Sequence, residues 1–433
     1  QGERKRVEEK RKIKEAMRKA AIDREDELLA AIKAAQEAEK EAARHAQERA
    51  ASWDPSKSVF KGRGVGKHAA FFDSDKTCQM AVALELERAL SKPAVVHLIN
   101  YPMEDQVKEV KKAMLEGANG TAARSILDIY RHYCLSGHHM FAMQKHGFDQ
   151  FVSESGIADN NSRTATAHHL ETTFVSSNMN TPGQKHGEGK RDRSLNRAEF
   201  IEALIRMGIQ KYFNDGRKRS AAATTGEAVM RIIIEHILPL TSGKGVKIKT
   251  PICDSNELRE KVLYTIKIDD VFRQDDRIEF LQHIFEAGSS QKNEGARMNI
   301  VEWMRFVRGV VGKDGGQNSK LLNFSELATK ECFLLSRLTV VDQEKDGKRW
   351  EQLSFEDFLE ALVRLTEIVH PETEDGRDDT EWDRNNVEDV APRLDDLIGA
   401  IMFKYDRDGD GGVSHAEINH MKRHGRRATR FEV

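Results

Sequence analysis

The chain has 433 residues, a hydrophobic fraction of 39%, a charged fraction of 32% and a formal net charge of −2. That length gives room for two to four domains, and so small a net charge sets up no global field that would select nucleic acid or a membrane. No run of about 18 apolar residues occurs, so no transmembrane span is expected, and Cys78, Cys134, Cys253 and Cys332 lack any CxxC spacing and read as reduced thiols of a cytosolic-type compartment.

With only 8 prolines and an excess of Ala, Glu, Lys, Arg and Leu, the composition favours helix, and an all-α fold is expected. A start at Gln1 rather than Met is expected of a fragment or a processed form. Residues 1–51 contain almost no Gly and no Pro, and their acidic and basic residues recur at i,i+4. This predicts a long charged helix, which would span roughly 70 Å. Its apolar residues keep no strict heptad. It is either a solvated spacer or a docking helix for a filament or coiled-coil partner.

Residues 52–72 include "SWDPSKSVFKGRGVGKH", a Gly-rich basic stretch that reads as a linker or extended arm. Gly62, Gly66 and Lys67 do not make a phosphate loop. The spacing is one residue short, His68 replaces the Ser or Thr, and no apolar strand precedes it.

From residue 73 onward the pattern is helix after helix. Helices are predicted at 75–91, 102–116, 121–134, 146–154, 165–176, 197–212, 225–238, 255–273, 276–287, 299–312, 325–339, 355–368, 391–405 and 415–424. The best strand candidate is "GVKIKTPI", 245–252. Residues 73–213 and 276–369 are expected as two helical bodies, 214–275 as a helical spacer, 370–390 as an acidic linker and 391–433 as a final module with a basic tail.

A short signature recurs: an apolar residue, three more residues, an acid, then an aromatic that starts an amphipathic run. It appears as Leu195, Glu199 and Phe200, as Met298, Glu302 and Trp303, and as Leu353, Asp357 and Phe358. A weaker copy starts at Met143, with Phe148 and Phe151. Amphipathic helices precede each copy, and adjacency pairs 126–153 with 165–213 and 276–312 with 325–368.

The stretch "DRDGDGGVSHAE" begins at Asp406. Asp406, Asp408 and Asp410 supply carboxylates from alternate positions, Gly411 permits a sharp turn, and Gly412 offers its carbonyl. Ser414 and the closing Glu417 complete an oxygen set suited to a hard cation that takes six to eight such ligands. "LDDLIGAIMFKY" before it and "EINHM" after it are amphipathic. This module resembles the EF-hand family of the calmodulin superfamily, which implies Ca2+ as the bound ion. It also implies an apolar face holding Ile401, Met402, Ile418 and Met421 that calcium could expose to a partner helix.

By the same resemblance, the four recurring copies are degenerate hands that keep the fold but not the calcium. The stretch from Asp342 comes nearest, with Glu344, Asp346 and Gly347 in their slots and Asp357 arriving about four residues late for a twelve-residue loop.

His138-His139 and His168-His169 have no second cluster at ligand spacing, so no zinc site is expected. No nucleophile or metalloprotease motif occurs, and the chain is expected not to be an enzyme. The architecture resembles EF-hand proteins of cytoskeletal assemblies, including ciliary and flagellar axonemes. That implies a calcium-binding scaffold or regulatory protein located at the cytoskeleton, with a filament, tubulin or another helical protein as partner rather than nucleic acid or membrane. Two alternatives stay open: a constitutive structural protein in which calcium only stabilises the last module, and the regulatory part of a larger enzyme.

Overall fold

A computed structural model describes residues 53–66, 69–99, 103–137, 140–178, 194–214, 221–245, 247, 252, 255–289, 295–311, 321–322, 325–368, 370–371, 383 and 385–405. It also describes Glu37, Lys40, Glu41 and Arg44. The chain divides into two compact units, Gln1–Lys57 and Ser58–Val433. In the first, the four isolated residues are helical, and Arg44 lies 3.8 Å from Glu41 one turn away. The rest of the expected 1–51 helix lies outside the described residues.

The second unit is helical, as the composition predicts. It starts with α1 (Asp75–Leu90), the short α2 (Pro93–Val96), α3 (Met103–Leu115) and α4 (Ala122–Cys134). β1 (Met143–Gln144) leads into α5 (Lys145–Ser155), α6 (Ala167–Ser177) follows, and β2 (Ser194–Leu195) leads into α7 (Arg197–Gly208). Next come α8 (Thr225–Ile232), α9 (Ser255–Leu258) and α10 (Ile266–Arg273).

The same arrangement then repeats. α11 (Arg277–Gly288) is followed by β3 (Met298–Asn299) and α12 (Ile300–Val311). β4 (Leu321–Leu322), α13 (Glu326–Leu335) and the short α14 (Gly347–Glu351) precede β5 (Gln352–Leu353) and α15 (Phe355–Leu365). β6 (His370–Pro371) and α16 (Val387–Tyr405) complete the described elements.

The strands are two residues long and antiparallel. Met143 faces Leu195, Met298 faces Leu353, and Leu321 faces Pro371. In the first two pairs each strand runs directly into a helix. The unit of construction is therefore helix, loop, two-residue strand, helix, and the strands join such units two by two. Each joined pair closes over its own aromatic cluster. Phe200 sits 5.6 Å from Tyr130 and 5.4 Å from Phe151, while Phe358 sits 5.3 Å from both Phe285 and Phe306. Edge and tilted contacts of this kind add to the burial of the rings.

Local chemistry sets where the helices begin. Ser74, Thr166, Thr224, Thr265 and Ser325 each accept a backbone N–H from the first turn of the helix that follows. Thr265 also explains a break in the helix predicted over 255–273. The first part unwinds after Leu263, and Thr265 starts a new helix at Ile266. Of the stretch predicted as a strand, Gly245, Lys247 and Ile252 are described, and none is in a strand. α16 starts at Val387, a few residues inside the expected acidic linker, because the Asn386 side chain accepts the Glu388 N–H.

Three arginines from the first half of the unit bind the segment that follows α13. Arg131 donates to Thr339 Oγ1 at 2.6 Å, Arg197 donates to the carbonyls of Val340 and Val341, and Arg88 donates to Asp342 at 2.7 Å. No helix among the described residues is long and apolar enough to cross a membrane.

Candidate functional site

The calcium-type loop, with Asp406, Asp408, Asp410, Gly412, Ser414 and Glu417, lies outside the described residues, as do Ile418 and Met421. The helix that feeds it is described. α16 packs on α10, α12 and α15 through Leu394, Leu397, Ile398 and Ile401, all buried. It is pinned by Lys267 to Glu388 and by Arg277 to Asp395. Of the residues expected to meet a partner, Ile401 is therefore inside the body and Met402 is half-buried, while the neighbouring Phe403 is 67% exposed.

The acid of the recurring signature has a clear structural role in three copies. Glu199 accepts the Asn196 N–H at 2.8 Å while the Asn196 side chain accepts the Glu199 N–H at 2.9 Å. Glu302 and Asn299 exchange the same two bonds at 2.8 and 3.0 Å, and Asp357 and Ser354 do so at 3.0 and 3.2 Å. These are capping boxes, which satisfy two orphan donors at a helix start. The weaker copy has Gly147 in the acid's place and no side-chain cap.

The loop from Asp342 is occupied by protein charge. Arg88 lies 2.7 Å from Asp342 and 3.3 Å from Glu344, and Asp342 also accepts the N–H groups of Glu344 and Lys345. Arg88 outweighs burial and holds the Asp342 carboxyl at about 2. Asp357, the acid that would close the loop, is bound by Arg63 at 2.7 Å. Among the described residues, no group of three or more His, Cys, Asp or Glu side chains is placed to hold a metal ion.

Arg63 belongs to the stretch read as linker or arm. From Ser58 onward it is an arm laid into the body. Phe60 is fully buried, with its ring at the edges of Tyr264 and Phe272. Arg63 donates to Glu360 at 2.6 Å, to the Tyr264 hydroxyl at 2.9 Å and to the Ser336 carbonyl at 2.7 Å.

Glu360, itself fully buried, also takes Arg259 and Arg364. Arg259 reaches on to Asp73 at 3.0 Å. Burial alone would raise both carboxyls, but Arg259, with Arg63 and Arg364 at Glu360 and Arg131 at Asp73, holds each at about 2. Arg63, Arg259 and Glu360 do not stand out in the sequence. The available signal was a glutamate placed among the apolar residues of "FLEALVRL".

No protein-family model matches the chain, and no curated protein matches it significantly.

Proposed function

We propose that this is a calcium-binding, non-enzymatic scaffold or regulatory protein built from degenerate EF-hand-like pairs, with one working loop at 406–417. One recurring pattern carries the reading. An apolar strand residue, a polar cap and an acid three residues further on occur as Leu195, Asn196 and Glu199, as Met298, Asn299 and Glu302, and as Leu353, Ser354 and Asp357. Val413, Ser414 and Glu417 repeat the pattern. Asp342, Glu344 and Asp346 also alternate ahead of Asp357, but that acid arrives about four residues late, so only at 406–417 do three alternate carboxylates stand at the twelve-residue spacing that lets the acid close a calcium shell rather than merely cap a helix.

Asp406, Asp408, Asp410, the Gly412 carbonyl, Ser414 and Glu417 would supply the oxygens. Bound calcium would contribute a fixed charge that draws the two flanking helices into one geometry. A cytoskeletal partner, a filament or tubulin in an axoneme-like assembly, fits the long charged N-terminal segment and the helical body.

The test is calcium titration calorimetry on the whole chain beside Glu417→Gln. A single binding event lost in the variant supports the reading. Several events would return calcium to the other loops, and none would remove it. A second reading, a constitutive structural protein, is favoured by the burial of Ile401. It predicts that co-sedimentation with polymerised tubulin does not change when calcium is added.

A further inference from the structure

Beside the buried arm lies a cavity of about 320 Å³, within the size range of small-ligand sites. Its walls carry Arg63, Arg297, Arg337 and Arg349 against Glu356 and Asp357. Arg63 and Asp357 are bound to each other. Asp357's second oxygen accepts the Ser354 N–H, so that carboxylate is already engaged. Three guanidinium groups then face one further carboxylate, Glu356.

Among the described residues, neither Arg297 nor Arg349 has a carboxylate at ion-pair distance. The most unusual of the three is Arg337. It is only 2% exposed, and none of its three side-chain nitrogens makes a hydrogen bond to a described residue. The rings of Trp350, Phe333 and Phe141 surround its guanidinium at 4.7, 5.0 and 5.2 Å. Those faces attract the cation but accept none of its N–H groups in the way an oxyanion does. Burial, reinforced by the nearby Arg131, pulls Arg337 down to about 9. Burial also lowers Arg349, against the opposing pull of Asp357 and Asp346, with Arg297 adding to the lowering. A buried, charged donor with no acceptor is costly to maintain, and all three guanidinium groups would gain from an anion in the cavity.

We propose that this cavity is a binding site for a phosphate monoester dianion, held by Arg349 and Arg297 with the charge of Arg337 behind them. The excess of two positive charges matches a dianion better than a single carboxylate. Planar guanidinium forks suit the oxygens of phosphate. The cavity has room for the phosphate and a small organic group, but not for a polymer strand.

The test uses the full chain with calcium chelated, so that phosphate stays in solution. Inorganic phosphate and O-phospho-L-serine are titrated by calorimetry, with serine as the uncharged-group control. Both phosphates are expected to bind and serine is not. Arg349→Gln and Arg297→Gln should each weaken binding about tenfold, the loss expected of one charged hydrogen bond. Glu356→Gln should tighten binding, a gain that general damage to the fold would not give. Lys261→Gln, an exposed lysine paired with Glu257, should change nothing. Tighter binding of phosphoserine than of phosphate points to an esterified ligand, and equal binding to free phosphate; both support the site. Absence of heat at millimolar phosphate, or binding unaltered by Arg349→Gln, overturns it.

Discussion

Arg63 Nη1 lies 2.6 Å from Glu360 Oε2, although 297 residues separate the two in the chain. The contact fastens a Gly-rich arm into the centre of a helical body. Glu360 is the shared anion of three guanidinium groups, so its neutralisation should cost more than loss of any one arginine. Glu360→Gln leaves Arg63, Arg259 and Arg364 buried around a neutral amide. A loss of about 3–5 kcal/mol is expected. Arg63→Met, which leaves Glu360 two partners, should cost about 2 kcal/mol. Urea midpoints of the two variants check the order, and a Glu360→Gln protein as stable as wild type would remove the network from the account of stability.

Acid should unfold the protein through the same groups. Asp73 and Glu360 are held at about 2 in the fold, against ordinary values of 3.8 and 4.5. Folded values below the unfolded ones mean that the unfolded chain binds more protons in this range. The stabilisation is therefore complete above about pH 5 and is lost as pH falls from about 4.5 towards 2, roughly 2–3 kcal/mol for each group. Urea midpoints measured from pH 7 down to pH 2 should fall mainly in that window. In Glu360→Gln the acid-dependent loss should shrink by roughly a third to a half, the remainder coming from Asp73 and from Asp342, which Arg88 also holds at about 2.

Arg88 fills the place that a cation would need in the loop from Asp342. Its removal alone should not create a calcium site, because Asp357 is fixed by both Arg63 and the Ser354 N–H. In an Arg88→Met, Glu417→Gln double variant, calorimetry is expected to show no calcium binding. A binding event there would mean that Arg88 was the sole obstacle.

The helical character was legible because apolar residues recur at helical spacing over long stretches, as in "LNRAEFIEALIRM" and "LSFEDFLEALVRL". The signature that opens the helices was legible too, but not that its leading residues Leu195, Met298 and Leu353 pair as short strands, since two residues are too few to show a period. What the acid does was less legible. Glu199, Glu302 and Asp357 stand where a calcium ligand would, and the spacing of a ligand and of a capping box is the same. The arm was not legible at all. "SVFKGRGVGKH" has no period, and Arg63 is buried only because Asp357, Glu360 and Tyr264 wait for it some 200 to 300 residues away. Likewise the break before Thr265 depends on a single hydroxyl cap within an otherwise continuous helical pattern.

Gly147 illustrates the same limit. In a helix, Gly→Ala ordinarily stabilises by about 1 kcal/mol, and "MQKHGFDQFV" by itself invites that change. In the fold, however, α5 runs so close to the end of α4 that a Cβ on Gly147 would stand 2.2 Å from the Tyr133 carbonyl oxygen. That atom is backbone, so no side-chain rotation relieves the clash, and α5 would have to move away from Tyr133. Tyr133 also holds Glu154 at the far end of α5 through a 2.6 Å hydrogen bond and packs its ring on Phe151, so the displacement would strain the whole module. Gly147→Ala is therefore expected to destabilise by about 1–3 kcal/mol, read as a lowered urea midpoint. A stabilised variant would show that α4 and α5 are not in this close contact.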